Sequence, residues 1–170
     1  MNAGEDVFRL LGAREERVYV QGFLLSREGI DFVVQISLNL PGLPKSVPGD
    51  PEAVFFASGI LSGRLGDVPA LSVQLRNHAG LACLMSFRGD AVRAKKTAVS
   101  VEKGFDWGRG FDIDVLTGAG PVSRENLGMK ARKCFLCAEN AKICARAGAH
   151  DMEKLREEAL RLLALARLRP

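Results

Sequence analysis

Residues 32–40 place the tightest constraint on how this chain can fold. Phe32, Val34, Ile36, Leu38 and Leu40 alternate with Val33, Gln35, Ser37 and Asn39, so an extended backbone puts five apolar side chains on one face. A strand with one continuous apolar face has to bury it under a second layer. Pro41-Gly42-Leu43-Pro44-Lys45 then ends the strand in a turn.

The remaining segments supply the partners. Residues 5–28 read as a helix with Val7, Leu10, Leu11, Val18 and Leu25 near one face. Asp50-Pro51 starts a second helix, with Asp50 at the N-cap, running to about Leu65 through Gly59 and Gly63. Residues 69–76 and 80–87 form a hairpin around Asn77-His78-Ala79-Gly80. A short helix over 90–102 carries Arg93, Lys95 and Lys96, and Phe111, Ile113 and Val115 alternate with Asp112 and Asp114 in a further strand. Gly118-Ala119-Gly120-Pro121 turns the chain, and Asp151 caps a final helix over 151–167. Helices interspersed with mostly adjacent strands predict an α+β fold, and 170 residues without repeats or linkers predict one domain over 1–170.

The formal charge is +4, and its source is local: residues 121–170 carry 11 Lys/Arg against 6 Asp/Glu, whereas residues 1–120 carry 13 against 14. A basic surplus of this kind selects an anionic partner, whether nucleic acid, nucleotide or acidic protein. No run approaches the roughly 20 apolar residues of a membrane span, and Met1-Asn2-Ala3-Gly4-Glu5-Asp6 lacks the basic and apolar regions of a secretory signal. The expectation is a soluble cytoplasmic protein whose four cysteines are thiols or metal ligands rather than disulfides. With only His78 and His150 present, a Ser-His-Asp scheme has little to draw on.

Four patches carry candidate chemistry. Asp112 and Asp114, two apart on a strand, project to one side and can share a Mg²⁺ ion whose other ligands are water and phosphate oxygens; as a solvated strand face they would be ordinary carboxylates. Cys134-x-x-Cys137 fits one knuckle of a tetrahedral zinc site that Cys144 and His150 can complete, or the three cysteines are free thiols at a helix junction. Arg124, Lys130, Arg132, Lys133, Lys142 and Arg146 offer forks and point charges to phosphate oxygens, or form a solvated basic surface. Asn39 and Lys45 flank a rigid turn that can aim Lys45 at a phosphate, or that simply closes the strand.

These pieces, in this order, resemble the CitX family, the apo-citrate lyase phosphoribosyl-dephospho-CoA transferases. The matching elements are Ala13-Arg14-Glu15-x-Arg17, Leu38-Asn39-x-Pro41-Gly42-x-x-Lys45, Gly108-Arg109-x-Phe111-Asp112-Ile113-Asp114-Val115 and Ser123-Arg124-x-x-Leu127-Gly128. The last is Arg132-x-Cys134-x-x-Cys137-x₃-Ala141-Lys142-x-Cys144-Ala145-Arg146-x₃-His150. Residues 50–100 match loosely, and Phe105-Asp106-Trp107 stands where the family pattern has a His or Thr.

The resemblance implies a nucleotidyltransferase-like mixed sheet flanked by helices, a basic Cys-containing segment over 120–150 and a terminal helix. It implies transfer of 2′-(5″-triphosphoribosyl)-3′-dephospho-CoA to a serine of the acyl carrier (gamma) subunit of citrate lyase, with loss of pyrophosphate. Asp112, Asp114 and Arg124 would be catalytic, with Mg²⁺ on the two aspartates. Asn39, Lys45, Arg109, Ser123, Arg132 and Arg146 would bind substrate, and Arg14 and Arg17 would meet the carrier. Cys134, Cys137, Cys144 and His150 would shape the basic loop, with or without structural Zn²⁺. The alternatives are the same transfer to another carrier protein, such as that of malonate decarboxylase, and a non-enzymatic zinc-containing RNA-binding domain. With one Trp and one Tyr, base-stacking platforms are few, so nucleic acid is the less favoured partner.

Overall fold

The structure, a computed structural model, describes residues 3–167. Helix α1 (Ala3–Leu25) leads into β1 (Phe32–Leu38), α2 (Asp50–Leu65), the hairpin β2 (Leu71–Asn77) and β3 (Gly80–Phe87), and α3 (Ala91–Gly104). A 3₁₀ turn at Gly108–Gly110 precedes β4 (Phe111–Thr117), and β5 (Gly120–Pro121), a second 3₁₀ turn at Glu125–Leu127, α4 (Ala141–Ala147) and α5 (Met152–Arg167) complete the order. The α+β expectation holds.

One five-stranded sheet runs in the order β2-β3-β1-β4-β5. Every neighbouring pair is antiparallel, so the sheet is not mixed as expected. Helix α2 links β1 to β2 and α3 links β3 to β4, and each crossover joins two strands that run the same way. Each also skips one strand: β3 lies between β1 and β2, and β1 lies between β3 and β4. The interleaving leaves only opposed neighbours, which is the split β-α-β arrangement.

The alternation read in residues 32–38 sorts into two faces. Phe32, Val34 and Ile36 join Leu81, Cys83, Met85 and Phe87 of β3 and Phe111, Ile113 and Val115 of β4 in the main core, under α2, α3 and α5. Val33, with Ala82 and Leu84, packs against Leu24 of α1 on the other side. Gln35 and Ser37 also face that side, and the register sets them opposite Asp114 and Asp112. Helix α1 buries Ala13, Arg17 and Leu24, while Val7, Leu11 and Val18 of the expected apolar face stay exposed.

Asp50 is not the cap of α2. Gly49 occupies that place, and the buried Asp50 carboxylate takes both guanidinium nitrogens of Arg76 at 2.7 and 3.0 Å. Asp151 does cap α5, accepting from the Glu153 and Lys154 backbone N–H groups at 2.8 and 3.2 Å. Trp107 is fully buried, stacked on Phe105 with ring centres 4.4 Å apart and edge-on to Phe56 and Phe111. The segment departing from the family pattern is thus filled by an aromatic plug just ahead of β4.

Gly108 marks where that plug meets α3. A Cβ there would sit 2.5 Å from the Val101 carbonyl oxygen and 2.8 Å from that of Glu102, both backbone atoms that cannot step aside. Gly108→Ala is expected to cost about 1–3 kcal/mol through overpacking, read as a lower midpoint in urea. Gly63→Ala, in α2 with open space around it, should instead gain about 0.5–1 kcal/mol from helix propensity. Equal effects at the two positions would contradict this packing.

Candidate functional site

Strand β5 pairs only with Leu116 and Thr117. The Val115 carbonyl accepts from the Val122 N–H at 2.8 Å and the Phe111 N–H donates to the Gly108 carbonyl, which leaves Ile113, on the outer edge of β4, as the outward-facing residue with no backbone partner among the described residues. Helix α3 lies beside that edge and satisfies it with charged side chains. The Ile113 N–H donates to Glu102 Oε1 at 3.0 Å, and Lys95 Nζ donates to the Ile113 carbonyl at 2.9 Å. Both Lys95 and Glu102 are buried. A buried backbone edge without a strand must be satisfied somehow, and here the solution draws ionic groups up to Asp112 and Asp114, the neighbours of Ile113.

Glu102 has further partners. Its two oxygens accept from Arg124 and Arg132, and Arg132 Nη2 also lies 3.1 Å from Asp112 Oδ1. Lys95 Nζ stands 3.8 Å from Asp114 Oδ1. Three carboxylates and three cations therefore form one network around Ile113. Burial pushes the Asp114 carboxyl up to about 6, with the charge of Asp112 adding to the rise and Lys95 opposing it. About half of its side-chain surface still reaches solvent, which tempers the shift.

Two clefts, each of about 390 Å³, meet at the Arg132–Asp112 pair. The first is strongly basic, lined by Lys103, Arg109, Arg124, Lys130, Arg132 and Lys133 against Glu102 and Asp106. The second lies between α1 and the sheet, with Gln35, Ser37 and Asp112 on its floor and Arg14, Arg17, Asn39 and Lys45 around it. Two of its cations are fixed by carbonyl groups. Arg17 donates to Ala79 and Gly80 at 2.6 and 3.0 Å, and Lys45 to Leu40 at 2.5 Å. Burial, then the nearby Arg14, lowers the pKa of both. Arg156 of α5 ties down the turn before Lys45 through the Pro41 and Pro44 carbonyls at 2.9 and 2.8 Å. Gly80, at φ +88°, lets the hairpin approach the Lys45 backbone, where a Cβ would collide with the carbonyl.

The cysteine segment folds back beside the basic cleft. The donor atoms of Cys134, Cys137, Cys144 and His150 all lie within 4.8 Å of one another, a group of the composition that holds a metal ion. Cys134 is buried, which raises its pKa, but hydrogen bonds from the Leu136 and Cys137 backbone and from the Cys144 and Cys137 thiols together outweigh burial and the net shift is downward.

Asp112, Asp114, Arg124 and Arg132 thus converge, with Asn39, Lys45 and Arg109 lining the adjoining clefts. Asn39 donates to the Arg109 carbonyl at 3.2 Å, and Arg109 donates to that of Lys133 at 2.5 Å while packing over Phe135. Ser123 lines neither cleft; its hydroxyl accepts from Asn126 N–H at 3.0 Å within a local turn. Arg146 is exposed on α4 and lines neither cleft. Arg17 is buried, so it is not free to meet a partner as expected; Arg14 is exposed.

Sequence reasoning missed Glu102 and gave Lys95 no role. The signal was available: the two are seven apart, two helical turns, within the stripe of Ala94, Ala98 and Val101 that α3 turns to the core. A charge inside an apolar stripe needs a buried partner.

The class so defined is an α+β protein whose charged site runs along a sheet edge between two cationic clefts. The sequence matches the model of the CitX family, apo-citrate lyase phosphoribosyl-dephospho-CoA transferase, over residues 5–165, and the chain belongs to that family. The apo-citrate lyase phosphoribosyl-dephospho-CoA transferases of Escherichia coli (strain SMS-3-5) and Shigella boydii serotype 18 are each 30% identical over 161 residues, covering 89% of this chain and 85% of the relative. The protein CitXG of Haemophilus influenzae is 27% identical over 157 residues, 86% of this chain but 32% of that longer protein. Among the described residues no helix is long and apolar enough to cross a membrane.

Two outcomes test the site's electrostatics. Removing Glu102 leaves Arg124 and Arg132, whose side chains are 14% and 22% exposed, without the carboxylate they share, and only Arg132 keeps another, Asp112. Glu102→Ala is expected to cost on the order of 3 kcal/mol in chemical denaturation, and a loss under about 0.5 kcal/mol, the range of a surface substitution, would show the network to be dispensable. For Asp114, folding favours the protonated carboxyl, because the folded value near 6 exceeds the ordinary 3.8. That contribution is full below about pH 4 and is lost as pH rises through about 6. Asp114→Asn, which cannot ionise, should gain in Tm relative to wild type between these values and level off above them. A difference that ignores pH would refute the shift.

Proposed function

We propose that this chain transfers the 2′-(5″-triphosphoribosyl)-3′-dephospho-CoA group to a serine hydroxyl of the citrate lyase acyl carrier (gamma) subunit, by nucleotidyltransferase-type chemistry. Family membership and the relatives' names support a phosphoribosyl-dephospho-CoA transferase. The observation that carries the reading is the meeting of two cationic clefts at Asp112, held by Arg132, with Asp114 beside it on the same strand face but lining neither cleft. The donor is anionic at both ends, in its triphosphate and in the diphosphate of its dephospho-CoA part, and needs cationic surface on both sides of the reacting phosphorus.

The serine oxygen attacks the phosphorus next to the ribose. A serine O–P bond forms, the P–O bond to pyrophosphate breaks, and the serine proton passes to Asp112 or Asp114. Arg124 and Arg132 bind the triphosphate and receive the charge that moves onto pyrophosphate, already oriented by Glu102. Asn39 and Lys45 contact donor phosphate or ribose from the second cleft, and Arg109 supports the basic wall. Asp112 and Asp114 would hold Mg²⁺, which when bound screens the triphosphate charge and aligns its oxygens. The donor set fits, since Asp112 on the same strand face adds to the cost of ionising Asp114, and a divalent cation relieves it.

Intact-mass spectrometry of apo carrier subunit incubated with this protein, Mg²⁺ and the donor tests the proposal. The expected gain equals the donor minus pyrophosphate. Asp112→Asn and Asp114→Asn should each slow it at least about 100-fold with the fold preserved. Full activity in either variant would overturn the mechanism. A gain confined to the malonate decarboxylase carrier would redirect the substrate, and tight RNA binding with a steep salt dependence and no transfer would overturn the reading.

A further inference from the structure

We propose that Cys134, Cys137, Cys144 and His150 bind one Zn²⁺ as a structural ion, and that this ion holds the basic loop so that Arg132 reaches Glu102 and Asp112.

The geometry is that of a four-ligand site. Cys137 and Cys144 sulfurs are 3.5 Å apart, and His150 Nε2 is 3.2 Å from the Cys137 sulfur. All four donor atoms lie within 4.8 Å of one another. A tetrahedral Zn²⁺ with Zn–S near 2.3 Å and Zn–N near 2.0–2.1 Å sets its ligand atoms roughly 3.5–3.8 Å apart, so small adjustments admit the ion. The separation of 3.5 Å is far beyond the roughly 2.05 Å of a sulfur–sulfur bond, and all three cysteines are free thiols. Three sulfurs and one imidazole around a common point suit zinc, and no other cysteine or histidine of the chain is needed to close the set.

The surrounding segment explains why an ion is needed. Between the 3₁₀ turn at Glu125–Leu127 and α4 the chain has no strand pairing beyond the single bridge Lys133–Asn140. Apart from Cys134, no residue from 129 to 143 is fully buried. Beyond Cys134 and the partly buried Phe135, which packs against the main core, such a loop has little apolar burial to hold its shape. Two backbone-to-backbone ties cross it, the Cys134 N–H to the Glu139 carbonyl at 2.7 Å and the Ala141 N–H to the Arg132 carbonyl at 2.9 Å. Both close the same knuckle that brings Cys134 and Cys137 toward Cys144. Arg132 lies two residues before Cys134, so the residue that couples the two clefts sits at the mouth of the knuckle. Arg109 fastens the other side through the Lys133 carbonyl and the Phe135 ring. The ion would therefore act on Arg132 as a positioning element and would not touch the reacting atoms.

Elemental analysis of the full chain, purified reduced and without chelator, should give one zinc per chain. Replacement by Co²⁺ should produce the intense visible absorption of a tetrahedral cobalt–thiolate site. Cys144→Ser should lose the metal; because a buried cysteine can matter for folding, His150→Ala is the second variant, with affinity at least tenfold lower, and His150→Cys should restore it. Stripping the ion should speed amide exchange in residues 129–150 and leave β1 and β3 protected. Only the functional consequence rests on the proposed transfer: stripping should slow it about 10- to 100-fold. Absence of zinc together with absence of a cobalt signal, or unchanged zinc in both Cys144→Ser and His150→Ala, would overturn the site. Exchange in residues 129–150 unaltered by stripping would overturn its action on the loop. Zinc bound in a protein that transfers nothing would confirm the site and count against the proposed reaction alone.

Discussion

The unpaired edge of β4 is the constraint from which the site follows. At Ile113, where no strand lies beside β4, an N–H and a C=O must be satisfied, and this fold places a helix there instead of another strand. A helix has no spare backbone to offer, so side chains supply the bonds. Glu102 and Lys95 are suited to it because each keeps bonding capacity after serving Ile113. Glu102 has lone pairs left for Arg124 and Arg132, and Lys95 has N–H groups left to face Asp114. Sealing the edge and assembling the charged network are one arrangement.

The network also joins parts of the chain that are distant in sequence. Arg124 opens the 3₁₀ turn after β5, Arg132 belongs to the cysteine loop, Glu102 and Lys95 sit on α3, and the two aspartates ride on the sheet. The basic surplus of residues 121–170 is thereby folded over an acidic strand from the nearly neutral part of the chain. Oriented groups of opposite sign, held before any substrate arrives, need not reorganise when charge moves. Pairing also lets two arginines lie side by side, which their mutual repulsion would otherwise oppose.

Much of this was legible from sequence where side-chain period and backbone geometry coincide. Alternation gave β1 and β4, turn chemistry gave the β2–β3 hairpin, and Asp151 gave the start of α5, because each depends on neighbours in the chain. What was not legible depends on packing across the chain. Asp50 next to Pro51 looks like a cap locally, yet Arg76, 26 residues away, claims its carboxylate. Helix α1 offers several apolar residues around its circumference, and only contact with Val33, Ala82 and Leu84 decides which line is buried. The strand directions escaped for the same reason, since helix-linked strands run parallel and only the interleaving of two crossovers makes each neighbour opposed.

The candidate site divides along the same line. Asp112 and Asp114 were readable because a period of two on a strand fixes their common face. Arg124 and Arg132 were readable only as members of a basic cluster, and Arg146 and Ser123 belonged to the same patches without reaching the clefts. Composition can say that a segment is cationic, but not which cations point inward. That selection is made by Glu102, a carboxylate with no motif of its own, whose burial obliges whichever arginines come near to turn toward it. In a site of this design the residue that decides the geometry is the counter-ion, and it is found by asking what a buried charge on an otherwise apolar helix face is paired with.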